Sequence, residues 1–114
     1  MGTESLLLKN LRSGGAGCIS ATANINPAAI VDLFLGYQGN EAESLQASVN
    51  KVRAVVEQFP FVPALKKTIS HYATDPQWNR LRPPLVELSE RDENQLVTAL
   101  ESLGFEMKGL ERLT

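Results

Sequence analysis

Ser20, Thr22 and Asn24 stand among small residues just past a short apolar run, Cys18-Ile19, that follows three glycines, Gly14, Gly15 and Gly17. Hydroxyls and an amide gathered where a buried parallel strand ends suit ligand contact, because ligands of α/β folds bind at the C-terminal ends of strands. The same groups could equally satisfy the backbone of a loop, and spacing leaves both readings open. The glycine run follows a predicted helix and opens a predicted strand. A dinucleotide fingerprint has the reverse order, and a phosphate loop adds a Lys-Ser/Thr pair that is missing here. The glycines are therefore expected to make a structural turn.

The other side chains with reactive groups are more isolated. His71 is the single histidine, and a metal site needs several ligands at suitable spacing, so a surface or boundary role is expected. Cys18 has no neighbouring base or helix N-terminus to lower its pKa and reads as a packing residue. Lys66 and Lys67 are amines that can in principle attack a carbonyl, but a solvated helix face is the simpler expectation. Trp78 and Phe34 are expected to anchor the core. From the residues alone, no catalytic group and no metal ligand is assigned.

The chain has 114 residues, of which 43% are hydrophobic, and a formal charge of -2, which suits one domain with a modest core. No basic stripe interleaves with aromatic residues, so nucleic acid is not an expected partner. One cysteine excludes an internal disulfide and suits a reducing cytosol. No apolar run approaches the ~20 residues that span a bilayer. The N-terminus lacks the basic-then-apolar order of a signal peptide. A soluble, cytoplasmic protein with no membrane partner is expected.

The elements that must position these groups follow from periodicity and caps. Leu7, Leu8 and Leu11 mark one face of a short helix over 4–11, ended by Ser13-Gly14-Gly15. Cys18–Ala21 is predicted to be a short strand, apolar on both faces as in a buried parallel sheet. It has no neighbour in this chain, so its donors and acceptors need water or another chain. Asn26-Pro27 caps and starts a helix carrying Ala29, Ile30, Leu33 and Phe34. Asn40 and Glu43 suggest a capping box before a stripe of Leu45, Val49, Val52 and Val56. Pro63 is expected to open a helix with Leu65, Ile69, Tyr72 and Ala73 on its buried side. Asp75-Pro76 repeats the cap-then-proline signal before Trp78. Ser89 and Asp92 begin a last helix with Leu96, Leu100 and Leu103 facing inward, ended by Gly104, and a frayed tail is expected after Phe105. The count is one strand and about six helices.

Gly2-Thr3-Glu4 before a leucine-rich helix, then Gly14-Gly15-Ala16-Gly17-Cys18-Ile19-Ser20-Ala21-Thr22-Ala23-Asn24 and Pro27, resembles the dihydrodipicolinate synthase/N-acetylneuraminate lyase family. Pro63-Ala64-Leu65-Lys66 and Arg82-Pro83-Pro84-Leu85 extend the likeness into the C-terminal half. The resemblance implies a (β/α)8 TIM barrel with an appended C-terminal helical segment. It implies an enzyme that makes or breaks carbon–carbon bonds of 2-oxo acids through a lysine–pyruvate Schiff base, without metal or organic cofactor, and usually as a homotetramer. On this likeness residues 1–57 are the end of the barrel, including its eighth strand, and 58–114 are the helical segment. The fold class expected of the isolated chain is mostly α with one short β-strand.

Residue by residue, the likeness carries little chemistry. Gly2 matches the glycine ending strand seven, whose backbone lines the pyruvate pocket, and Ile19 matches the strand-eight aliphatic residue against the bound 2-oxo acid. The Schiff-base lysine and the catalytic tyrosine belong to earlier strands of the family fold. Lys66 and Lys67 match the helical appendage instead. The resemblance therefore implies no catalytic residue here, and lyase activity is not expected from this chain alone. A complete barrel takes about 250 residues. In sialic-acid lyases an acidic pair and a serine touch the sugar; Glu4-Ser5 and Ala21 stand at those positions, so the likeness leans to the 4-hydroxy-tetrahydrodipicolinate synthase-like or 2-oxo-acid aldolase-like branches. A non-catalytic helical interaction module and a truncated gene product are the alternatives.

Overall fold

A computed structural model describes residues 1–110, and the chain divides into two compact units, Met1–Arg53 and Ala54–Thr114. In the first unit, a 3-10 turn over Glu4–Leu6 leads into helix α1, Leu7–Arg12. Helix α2 spans Pro27–Gly36 and α3 begins at Ala42 and runs to Val56. Leu7, Leu8 and Leu11 are all buried, as their spacing predicts, and cluster with Ile30, Leu33, Ala42 and Val49. Cys18, Ala29 and Leu45 pack half-buried against that cluster. The C-terminal end of α1 is closed by the glycine turn: Gly14 has φ 85°, Gly17 has φ 142°, and the Gly15 N–H donates to the Asn10 carbonyl at 2.8 Å.

The turn is tighter than composition suggests. A Cβ on Gly15 would stand 2.3 Å from the Asn10 side-chain amide, whose Oδ1 accepts from the Gly17 N–H at 3.3 Å. Gly15→Ala must expel that amide and lose its hydrogen bond, and we expect destabilisation of about 1–3 kcal/mol. Urea melts of the variant beside Asn10→Ala should show the two losses overlapping rather than adding.

The predicted strand does not form: no strand occurs among the described residues. A ladder needs a partner on repeated alternate residues, and Cys18–Ser20 makes one such bond, from the Ile19 N–H to the Met1 carbonyl at 2.8 Å. Ser20 keeps extended dihedrals, φ -137° and ψ 138°, and the chain then coils into a 3-10 turn over Ala21–Asn24. Two expected caps also fail. Asn26 precedes Pro27 at the helix start but makes no side-chain cap bond. Helix α3 starts at Ala42, so Asn40 lies too early to cap it, and Glu43 pairs with Arg12 instead of reaching back.

The second unit holds the end of α3, helix α4 (Phe61–Ala73), a 3-10 turn over Pro76–Asn79 and helix α5 (Glu90–Ser102). Helix α4 starts two residues before Pro63, which therefore sits in the first turn, where a missing N–H costs nothing. Asp75 caps the 3-10 turn through the Gln77 N–H, and Ser89 caps α5 through the Asp92 N–H at 3.1 Å, both as predicted. Helix α4 packs on α5 and on the 3-10 turn. Leu65, Leu96 and Leu100 are buried, and Ile69, Tyr72 and Ala73 are half-buried. The frayed tail expected after Phe105 extends beyond the described residues, while Phe105 itself is buried against Tyr72 with ring centres 5.2 Å apart.

Three inward assignments are overturned. Phe34 is 43% exposed: α2 is apolar apart from Asp32, and the first unit covers only the side bearing Ile30 and Leu33. Trp78 is 44% exposed because a one-turn 3-10 helix has no broad face to bury. Leu103 follows the last residue of α5 and is 40% exposed. Conversely Lys67, expected in solvent, is buried and bonded to Glu93 at 3.2 Å.

Candidate functional site

Gly2 and Ile19, the two positions marked by the resemblance, come together on one edge of the first unit. The Ile19-to-Met1 bond sets the extended Cys18–Ser20 stretch alongside Met1 and Gly2. The Ile19 side chain is 88% exposed, unusual for a large aliphatic residue, and a Cβ on Gly2 would meet nothing within 4 Å. An aliphatic side chain and a bare backbone thus face open space together.

Behind this edge lies Glu4, whose burial and partners sequence reasoning did not find. Glu4 is 1% exposed, and its carboxylate accepts hydrogen bonds from the Ser20 and Thr22 hydroxyls. Arg53 donates to the same carboxylate at 2.8 Å. The Glu4 carbonyl accepts from Gln46 Nε2 at 2.9 Å, and Gln46 Oε1 accepts from the Leu8 N–H at 2.9 Å. One buried carboxylate therefore ties the segment after Gly2, the segment after Ile19 and helix α3 into a single unit. Burial opposes its ionisation. The two hydroxyls, its own backbone and Arg53 together outweigh that cost and hold its pKa below the ordinary value of 4.5. Ser20 is extended and Thr22 lies in the 3-10 turn that follows, so no single period of the sequence places both on one side. Nothing local links them to residues 4 and 53.

The two readings of the polar strand end separate in three dimensions. Ser20 and Thr22 turn inward to Glu4, and Asn24 Nδ2 bonds the Ala21 carbonyl at 2.9 Å, so Asn24 serves the loop. Burial first, and then the Glu4 charge, push the Cys18 thiol up, which fits a packing residue rather than a nucleophile. His71 and the two lysines lie in the other unit. The His71 ring stands edge-on to Tyr72, with Nε2 3.9 Å from a Glu101 oxygen. Lys66 donates to the Arg80 carbonyl, and Lys67 to Glu93. Among the described residues no cluster of three His, Cys, Asp or Glu could hold a metal ion, and no helix is long and apolar enough to cross a membrane.

Comparison with known proteins supplies the context. The sequence profile of the Dihydrodipicolinate synthetase family matches residues 1–103. An uncharacterized DapA-like lyase of Halobacterium salinarum is 33% identical over 106 residues, covering 90% of this chain and 34% of the relative. Among solved structures, YagE of E. coli K12, a prophage protein of the dihydrodipicolinic acid synthase family in complex with pyruvate, is similar with TM-score 0.79 and 27% identity, over 92% of this chain and 36% of that one. Dihydrodipicolinate synthase of Agrobacterium tumefaciens is similar with TM-score 0.74 and 27% identity, over 90% of this chain and 33% of that one. The chain spans about a third of the length of the relatives it matches.

Proposed function

The chain belongs to the Dihydrodipicolinate synthetase family as a C-terminal segment of its fold, and on that premise we propose that it forms the Gly2/Ile19 wall of a pyruvate or other 2-oxo-acid site. Residues 1–57 then close the barrel and 58–114 form its helical appendage. The chemistry is that of a 4-hydroxy-tetrahydrodipicolinate synthase-like lyase or synthase acting in the cytoplasm, within a homo-oligomer.

The observation that carries this reading is the edge itself. Gly2 offers bare backbone and Ile19 a solvent-exposed aliphatic side chain, joined by the Ile19-to-Met1 bond and backed by the Glu4 cluster. Small-molecule sites are mostly apolar walls with a few placed polar groups, and this edge supplies such a wall. Schiff-base chemistry needs an amine that loses its proton, attacks the 2-oxo carbon and expels water as the C=N bond forms. Lys66 and Lys67 are both committed elsewhere, the first to the Arg80 carbonyl and the second to Glu93. The family resemblance implies a reacting lysine in the preceding part of the fold, and on the proposed reading these 114 residues contribute binding and shape.

Borohydride trapping tests this division. Hydride reduces an imine to a stable secondary amine, adding the mass of pyruvate less one oxygen. We expect no adduct when the 114-residue protein is treated with pyruvate and borohydride, and an adduct when it is fused behind the preceding part of YagE. In that fusion, Ile19→Asp should raise the pyruvate concentration giving half-maximal adduct by about tenfold or more, as expected for a charge placed against an apolar ligand wall. A specific adduct on the 114 residues alone overturns the assignment of the amine.

A further inference from the structure

Ile19 and Ser20 are neighbours in an extended stretch, and Ser20 has strand dihedrals, φ -137° and ψ 138°. Successive side chains of an extended chain point to opposite sides. The Ser20 hydroxyl donates inward to Glu4 Oε2, the oxygen that also accepts from Arg53 at 2.8 Å, while the Thr22 hydroxyl donates to Oε1. Ile19 is thereby turned outward, which accounts for an aliphatic side chain that is 88% exposed. At the other end of the same frame, Glu4 lies two residues beyond Gly2, and the Met1 carbonyl accepts from the Ile19 N–H at 2.8 Å. The backbone bond and the carboxylate clamp therefore brace the two segments that carry the wall. Glu4 is 1% exposed, so its carboxylate is closed off from a ligand on this edge.

We infer that Glu4 is a positioning residue of the Gly2/Ile19 site: by holding Ser20 inward it presents Ile19 to the 2-oxo acid, without touching the ligand itself. The inference rests on the family reading above, and it gives a different role to a residue that stands where sialic-acid lyases contact their sugar. Two contacts keep the effect local. The carboxylate grips the residue next to Ile19, outside the leucine cluster that holds α1, α2 and α3 together. The main chain of Glu4 has a separate anchor, since its carbonyl accepts from Gln46 Nε2 at 2.9 Å. A change confined to the side chain loosens the wall and leaves that anchor in place. Ser20→Ala is the gentler probe, because Glu4 keeps its bonds from Thr22 and Arg53.

Pyruvate trapping and hydrogen exchange test the assignment together. In the fusion behind the preceding part of YagE, Glu4→Gln and Ser20→Ala should each raise the pyruvate concentration giving half-maximal borohydride adduct by about threefold to tenfold, with the adduct formed at saturation unchanged, the pattern of weakened binding. The double variant should shift no further than the larger single change, since both remove one clamp. A carboxylate that met the ligand directly would respond to Glu4→Gln and not to Ser20→Ala, and additive shifts would mean two independent contacts; either result overturns the inference. In the 114-residue protein, Ser20→Ala should speed exchange of the Ile19 amide by about tenfold, measured against amides in the middle of α2, whose change reports overall stability. An unchanged ratio overturns it as well. The two readouts separate the positioning role from the family reading. A fusion that responds to Ile19→Asp but to neither Glu4→Gln nor Ser20→Ala keeps the wall and removes the positioning role. A fusion in which no adduct forms removes the Schiff-base reading, and the Ile19 exchange ratio then decides whether Glu4 holds the edge.

Discussion

Replacing Glu4 by alanine lowers stability by about 3 kcal/mol, because it removes the acceptor of three donors at once. The Ser20 and Thr22 hydroxyls and the Arg53 guanidinium all converge on this carboxylate, and Thr22 is itself almost wholly buried. Loss of one partner from a buried charge pair costs more than the pair is worth, since the remaining groups stay desolvated. Against a total stability of about 5–15 kcal/mol for a native domain, this is a large share. Glu4→Gln should cost less, since one carbonyl oxygen survives to accept. Guanidinium melts at pH 7 give both values.

The same group makes the fold acid-sensitive. Its folded-state pKa lies below the ordinary 4.5 because the hydroxyls, backbone and Arg53 outweigh burial. A carboxyl whose pKa is depressed on folding contributes stability in full above its unfolded pKa. That contribution is lost as pH falls through the folded value. Melts should therefore show native protein weakening below about pH 4.5, with Glu4→Gln showing a flatter profile over the same range. An unchanged slope in Glu4→Gln would place the acid sensitivity elsewhere.

Leu33→Ala is expected to cost about 2–5 kcal/mol, the range for deleting a fully buried leucine where neighbours cannot close the cavity. Leu33 has no exposed surface and sits in the cluster that joins α1 and α2 to the start of α3. Two residues along the same helix, Leu35 is 74% exposed, and Leu35→Ala should change stability by no more than about 0.5 kcal/mol. Helix propensity is nearly equal for the two replacements. The contrast in urea midpoints therefore isolates burial. Equal losses would mean that the apolar outer face of α2 is covered in solution.

Much of the helical framework was legible in the sequence because helix signals are local. The leucine face of α1, the start at Pro27, and the caps at Asp75 and Ser89 each rest on residues within one turn. The failures share a different cause. The strand at Cys18–Ala21 needed a neighbour, and sequence composition cannot supply a hydrogen-bond partner. Phe34, Trp78 and Lys67 were misplaced because helical spacing identifies an apolar stripe but does not say how wide a neighbour covers it.

The candidate site divides in the same way. The sequence by itself carried the motifs of the family that the profile then matched, and the resemblance, not local pattern, implied roles for Gly2 and Ile19. The sequence also determined the glycine turn and the polar character of Ser20 and Thr22. Only the tertiary structure decided where those hydroxyls point, because Glu4 and Arg53 are 49 residues apart and meet through packing alone. It decided equally that Ile19 faces outward. Local chemistry writes caps and turns into neighbouring residues; buried charge networks and strand edges depend on long-range contacts, which no short window of sequence contains.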